Sequence, residues 1–220
     1  MDARFEDKFP LTKDQVGIFR YWLSSVDGAG FRTAFPSRTV NSLYFDTPEM
    51  DSYIDNCEGA GSRRKVRLRW YGDTLEPQSL RFEIKIRSAG CGGKQLVEVE
   101  GSRVPLRPIR SLSSRLRREL PRELRADLDD SPIPYLINRY RREYYVTASG
   151  IRLTVDSEMS SRKLLGGHFF VPRELPTTVT TVVEVKYAVG NAQAARRALS
   201  SFPVSPAKNS KYAQAVDSWI

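Results

Sequence analysis

Arg81-Phe82-Glu83-Ile84-Lys85-Ile86 and Val182-Val183-Glu184-Val185-Lys186-Tyr187 are the stretches from which the fold is read. In each, a Glu-x-Lys pair alternates with β-branched or aromatic residues. Alternate residues of a strand share a face, so each strand has one charged face and one apolar face. Val66-Arg67-Leu68-Arg69-Trp70 and Ile151-Arg152-Leu153-Thr154-Val155-Asp156 repeat the pattern with arginine, and a third Glu-x-Lys lies at Glu6-Asp7-Lys8. If these faces converge on a lumen, the lumen is a socket for a polyanion held with a metal.

Outward from these strands, Thr12 with Gln15 three residues later predicts a capped helix. Residues 40–46 read as a strand, and Thr47 with Pro48 as the start of a short helix. Strands follow over 64–71 and 80–87, and Gly90-Cys91-Gly92-Gly93 reads as a hairpin tip leading into 95–100. Leu112, Leu116 and Leu120, at i, i+4 and i+8, predict helix within 102–131 with a basic outer face, closed by Pro132 and Pro134. Strands resume over 136–146, 151–158 and 178–188. An Ala-rich helix over 191–201 and a short helix from Ser210 complete the chain. No low-complexity linker interrupts it, so residues 1–220 are expected to form one domain. Many β-segments joined by short turns favour an α+β fold: a closed antiparallel barrel with helices packed outside.

Composition narrows the function. The 220 residues carry a net charge of +9, which predicts an acidic partner: nucleic acid, an anionic membrane or phosphate-rich small molecules. No apolar run is long enough to span a membrane, and the charged first residues do not read as a secretory signal. Cys57 and Cys91 have neither metal-site spacing nor a disulfide framework, so they are expected as reduced thiols in a cytoplasmic protein. The single histidine, His168, excludes multi-His zinc sites and argues against a Ser-His-Asp triad.

The charge-bearing candidates are Lys8, Arg67, Arg69, Lys85, Arg142, Arg152 and Lys186, with Glu6, Glu83 and Glu184 among them. A sheet with one wet face would show the same alternation with its charges merely solvated. Against that, the charges recur as i, i+2 pairs, with few Ser, Thr or Gln between them. Two like charges 4 Å apart repel by about 4 kcal/mol at an effective dielectric of 20, so such a cluster needs interleaved carboxylates and an anionic guest. Arginine forks suit phosphate oxygens. Mg²⁺ or Mn²⁺ takes one or two carboxylates together with substrate phosphates and waters. At Lys208-Asn209-Ser210-Lys211-Tyr212, Ser210 either caps a helix whose amides and Lys211 meet an anion, or is a plain cap with solvated lysines.

Taken in order, Ser42-Leu43-Tyr44-Phe45-Asp46-Thr47-Pro48, Lys65-Val66-Arg67-Leu68-Arg69, Glu83-Ile84-Lys85, Tyr140-Arg141-Arg142, Arg152 to Asp156, Glu184-Val185-Lys186-Tyr187 and Ser210-Lys211-Tyr212 resemble the polyphosphate polymerase domain of the VTC (vacuolar transporter chaperone) family. That family is part of the triphosphate tunnel metalloenzymes, and the resemblance runs from about Arg4 to Tyr212. It implies an eight-stranded antiparallel tunnel whose polar, basic interior binds triphosphate. It implies that Lys8, Arg67, Arg69, Lys85, Arg142, Arg152 and Lys186 contact phosphates. Glu184 would be the main metal ligand, with Glu83 or Glu6 assisting through water. Tyr140, Lys208, Ser210 and Lys211 match further phosphate contacts, and Lys94 another basic tunnel residue. Arg67, Arg69, Lys85, Lys186 and Glu184 are the expected catalytic set. Many tunnel enzymes begin Glu-x-Glu-x-Lys; here Arg4 holds the first position, as in the polymerase-like branch, which weighs against a two-metal hydrolase.

The implied activity is transfer of a phosphoryl group from ATP or another triphosphate to inorganic polyphosphate, with Mn²⁺ or Mg²⁺. The alternatives are a triphosphate hydrolase and a non-catalytic polyphosphate-binding module. The eukaryotic relatives also carry a regulatory domain and a membrane segment not seen in these residues, which leaves room for a membrane partner protein. Specific nucleic-acid binding through the Arg-rich 103–125 segment is not expected, because its arginines do not interleave with aromatics.

Overall fold

The computed structural model describes residues 4–25, 30–88, 91–165 and 169–220; Gly90, the Gly166-Gly167 loop and His168 lie outside the described residues. In chain order the elements are β1 (Arg4–Leu11), α1 (Lys13–Ser24), β2 (Arg32–Asp46), α2 (Asp51–Glu58), β3 (Arg63–Tyr71), β4 (Ser79–Ser88), β5 (Cys91–Glu100), α3 (Leu112–Glu119) and α4 (Arg122–Asp130). They continue with β6 (Ile133–Val146), β7 (Arg152–Leu165), β8 (Phe169–Phe170), β9 (Leu175–Pro176), β10 (Thr181–Ala188), α5 (Ala192–Ala198) and α6 (Lys211–Asp217). Eight principal strands follow the hydrogen-bonded path β1-β10-β7-β6-β2-β3-β4-β5, with the two-residue β8 and β9 joined to β7. The α+β class with eight principal antiparallel strands, expected from the sequence, is what the chain has; among the described residues the strand path has two ends, β1 and β5, where the sequence reading expected a closed barrel.

Two compact units divide the chain: Met1–Arg38, Tyr140–Met159 and Val179–Asn209 form the first, and Thr39–Arg139, Ser160–Thr178 and Ser210–Ile220 the second. In the first unit, β1 pairs with β10 and β10 with β7, both antiparallel. Phe9, Leu11, Leu153, Val155, Val183 and Val185 turn one face of these strands toward Phe19 and Trp22 of α1 and Ala195 and Ala198 of α5. The capping box read from Thr12 and Gln15 is formed, each side chain bonding the other residue's amide.

In the second unit, β2-β3-β4-β5 is an antiparallel run. Leu43, Phe45, Val66, Leu68, Leu80, Phe82 and Ile84 pack against Leu112, Leu116 and Leu120 of the α3 segment and Leu124 and Leu128 of α4. The leucine spacing thus marks a real core stripe, but the helix is not continuous. Leu120 is extended and Pro121 begins a new helix, since proline removes a backbone donor and clashes with the preceding turn. In both units the apolar strand face is covered by helices. The C-terminal α6 packs instead on the opposite face of β2, where Tyr212, Ala215 and Val216 meet Tyr44 and Leu136.

Several boundaries differ from the sequence reading: the strand expected over 40–46 begins at Arg32, and the strand expected over 151–158 runs on to Leu165. The helix expected from Thr47 starts at Asp51. Met50 adopts a left-handed conformation (φ 66°), and the Thr47 and Asp46 side chains accept the amides of Asp51 and Ser52. The glycine hairpin tip contributes Cys91, Gly92 and Gly93 to β5 itself, paired with Ser88, Arg87 and Ile86. Cys57 is a free, exposed thiol. No helix among the described residues is long and apolar enough to cross a membrane.

Candidate functional site

The charged strand faces build one cluster in each unit. In the second unit, the β3–β4 register sets Arg67 opposite Glu83 and Lys65 opposite Lys85, and the β4–β5 register sets Lys85 opposite Lys94. Glu83 is 3% exposed. Arg67 Nε donates to Glu83 Oε2 at 2.8 Å and Nη2 to the same oxygen. Lys94 Nζ lies 3.1 Å and Arg69 Nη1 3.7 Å from the other oxygen. Burial pushes the Glu83 carboxyl up, but Arg67, Arg69 and Lys94 outweigh it and hold it at about 2. Burial lowers the Lys94 ammonium; Glu83 opposes this, and Arg67 and Arg69 add to the lowering.

Lys65, Lys85 and Lys94 stand side by side on three adjacent strands, an arrangement that is unfavourable without counter-charge. Lys85 is exposed. Lys65 reaches Asn56 Oδ1 at 2.6 Å and Ser210 Oγ at 2.7 Å. Ser210 also caps α6 by accepting the Ala213 amide at 3.3 Å, so the expected cap is formed and tied to β3. Lys211 is the first residue of α6, and its carbonyl accepts from Asn138 at 3.4 Å.

The motif Ser42 to Pro48 gains a physical reason. Its alternate residues Ser42, Tyr44 and Asp46 share the charged face. Arg69 Nε reaches Ser42 Oγ at 3.4 Å and Arg67 Nη1 reaches the Tyr44 hydroxyl at 3.5 Å. Asp46 is fully buried and accepts the Thr47 and Ser52 amides, each at 2.9 Å, and the Tyr212 hydroxyl. Tyr212 stacks on Tyr44 with ring centroids 4.9 Å apart. Burial, with the Asp46 charge, raises the Tyr212 hydroxyl far above its usual range, so it stays a donor.

In the first unit, Lys8, Glu184 and Thr154 share one row across β1, β10 and β7, and Glu6, Lys186 and Arg152 the next. Arg142 donates through Nε and Nη2 to the two oxygens of Asp156, at 2.5 and 2.6 Å. Its guanidinium stacks over the Tyr140 ring, 5.3 Å from the centroid. Burial works against the Arg142 charge, yet Tyr140, Asp156 and Glu184 outweigh it and raise its pKa, leaving a permanent cation. Arg142 Nη2 and Lys186 Nζ approach Glu184 Oε2 at 3.8 and 3.5 Å, and Lys8 and Lys186 each lie 3.7 Å from Glu6. Lys8 Nζ donates to the Asn209 carbonyl at 3.1 Å. Arg152 and Lys208 are exposed.

Within their own units, then, Glu6, Lys8, Tyr140, Arg142, Glu184 and Lys186 come together, and Arg67, Arg69, Glu83 and Lys94 come together. Asp156, Ser42, Tyr44 and Lys65 were not among the expected site residues. Asp156 and Lys65 could have been found by parity, because they lie four residues from Arg152 on β7 and two from Arg67 on β3; Ser42 and Tyr44 sit on β2, which carried no expected site residue, and are placed by its pairing with β3. Among the described residues no group of three or more His, Cys, Asp and Glu forms a ready metal cage. An ion held by one or two carboxylates plus phosphates and waters needs less. Glu184 fits that description as a buried carboxylate, its side chain 7% exposed, on the charged strand face beside Arg142 and Lys186. Glu83 differs, because its oxygens are held closely by Arg67 and Lys94.

The VTC domain model matches residues 4–220. No curated protein matches the chain. Among solved structures, one is of HpAC1 from Hippeastrum, named for adenylyl cyclase and described as having a dominant triphosphatase activity. It is 16% identical, with 99% of this chain and 96% of that chain covered and a TM-score of 0.59. Another, from Bacillus halodurans and also named for adenylate cyclase, is 14% identical, with 95% and 94% covered and a TM-score of 0.55. These likenesses show a shared fold.

Proposed function

Because the chain belongs to the VTC domain family, we propose that it is a metal-dependent phosphotransferase that moves the terminal phosphoryl group of ATP, or another triphosphate, onto a growing inorganic polyphosphate chain. The observation that carries this reading is the pair of cation-rich strand faces, each with a buried carboxylate among the cations: Glu83 with Arg67, Arg69 and Lys94, and Glu184 with Arg142 and Lys186. Cations gathered in that way suit a phosphate chain better than solvent.

Arg67, Arg69 and Arg142 would bind and orient phosphate oxygens, and Lys8, Lys85, Lys94 and Lys186 would neutralise their charge. Arg152, Tyr140, Lys208, Ser210 and Lys211 would add outer contacts. A phosphate nucleophile is already ionised near neutral pH, so no side chain needs to take its proton. Positioning and charge neutralisation then carry the rate. Glu184 would hold Mn²⁺ or Mg²⁺, which would supply positive charge to offset the charge developing on the phosphates in transfer.

Incubation with ATP and Mn²⁺ or Mg²⁺, followed by gel analysis, tests the reading: long phosphate chains are expected. Orthophosphate alone would replace it with a hydrolase, the activity named for HpAC1. Tight polyphosphate binding with no turnover, unchanged in Glu184→Gln, would replace it with a non-catalytic receptor.

A further inference from the structure

Buried polar atoms in folded proteins almost always have a partner, so an orphan asks for one. In the first unit, the buried side-chain atoms without a hydrogen bond among the described residues are Thr154 Oγ1 and both amide atoms of Asn209. All three flank one group. Thr154 is the β7 neighbour of Glu184 across the sheet, and Lys8 is the β1 neighbour of Glu184 on its other side. Lys8 in turn holds the Asn209 carbonyl at 3.1 Å. Thr154 shares its face with Arg152 and Asp156, while Leu153 and Val155 point into the helix-covered core. The unmet hydrogen-bonding capacity of this unit therefore brackets the Lys8–Glu184 row and is not scattered.

We propose that Thr154 and Asn209 are phosphate-binding residues of the triphosphate site. The Thr154 hydroxyl and the Asn209 amide nitrogen donate to phosphate oxygens, and Asn209 Oδ1 accepts from water carried in with the ligand. Neither residue adds charge. Their part is to fix the rotation of a phosphoryl group that Lys8 and Lys186 attract without orienting, since an ammonium is a point charge. The inference rests on the phosphate reading of the cluster for its ligand, and it makes a prediction that a structural role would not. Removing a polar atom that has no partner in the free protein leaves nothing unsatisfied, so it does not destabilise the fold.

The test uses the full chain and inorganic triphosphate, titrated calorimetrically with and without Mn²⁺, alongside urea unfolding of the ligand-free protein. Thr154→Val and Asn209→Leu should each weaken triphosphate binding by about tenfold while leaving the unfolding midpoint unchanged or higher. Thr154→Ser, which keeps the hydroxyl, should bind like the parent. Unchanged affinity in both apolar variants overturns the proposal, and so does a stability loss that parallels the affinity loss, which marks these groups as internally bonded. A parent protein that binds no triphosphate at all sinks the functional reading and this inference with it. A parent that binds, with variants that bind equally, sinks this inference alone.

Discussion

Glu83 shows how a single buried carboxylate ties stability to the proposed chemistry. Its folded pKa of about 2 lies below its ordinary value of 4.5. The stabilisation is therefore fully present above about pH 4.5 and is lost as pH falls toward 2, because protonation removes the partner of Arg67 and Lys94. Glu83→Gln should cost roughly 3 kcal/mol at neutral pH by removing the buried carboxylate charge that Arg67, Arg69 and Lys94 share, and it should flatten the acid arm of the stability curve. Urea midpoints measured from pH 7 to pH 2.5 check both, and a variant as acid-sensitive as the parent would contradict them. Lys186 makes the opposite case. Its ion pairs are long and its side chain is 38% exposed, so Lys186→Ala should change stability by less than about 1 kcal/mol. Calorimetry should nonetheless show triphosphate affinity falling at least tenfold, in line with the loss of a charged phosphate contact.

Among the elements, helix α3 and the Thr12 cap separate what packing does from what local bonding does. Leu116 is fully buried between the α3 segment and the second unit's strands. Leu116→Ala should destabilise by about 2–5 kcal/mol through the cavity it leaves. Thr12→Ala breaks the capping box at the start of α1 and should cost about 1 kcal/mol. Thermal unfolding of both variants tests the ranking, which fails if the cap proves the more costly. The charged stretches of the strands were legible from alternation alone, because a period of two admits one assignment of faces, but Arg32 to Thr39 of β2 and Met159 to Leu165 of β7 were not. The helix over 102–131 was legible as a leucine stripe but not as two pieces. Its stripe runs on past Leu120 to Leu124 and Leu128, so the break had to be read from Pro121 alone. Likewise, no local signal showed that Asp46 would anchor α2 and α6 together, because its partner Tyr212 lies 166 residues away.

For the whole molecule, the excess of positive charge is unevenly placed. Residues 102–125 hold eight arginines against two glutamates. These arginines differ from the strand cluster. Arg103 and Arg117 are paired with Glu100, Glu119 and Asp129 at the surface, and the segment contains no aromatic residue to stack on a base. Duplex DNA should therefore bind far more weakly than polyphosphate at physiological salt, and its affinity should collapse as salt rises. Titrations of both polymers across a salt series would expose the error if the two curves coincide. The sequence by itself determined the parity of the charged strands, the net positive charge and the family, because face assignment, charge and motif order follow from residue order alone. Only the tertiary structure decided which carboxylate each cation meets. Strand register and the long-range contacts of Arg142 with Asp156, Lys65 with Ser210 and Lys8 with Asn209 are set by packing across the sheet, and residue order does not encode them locally.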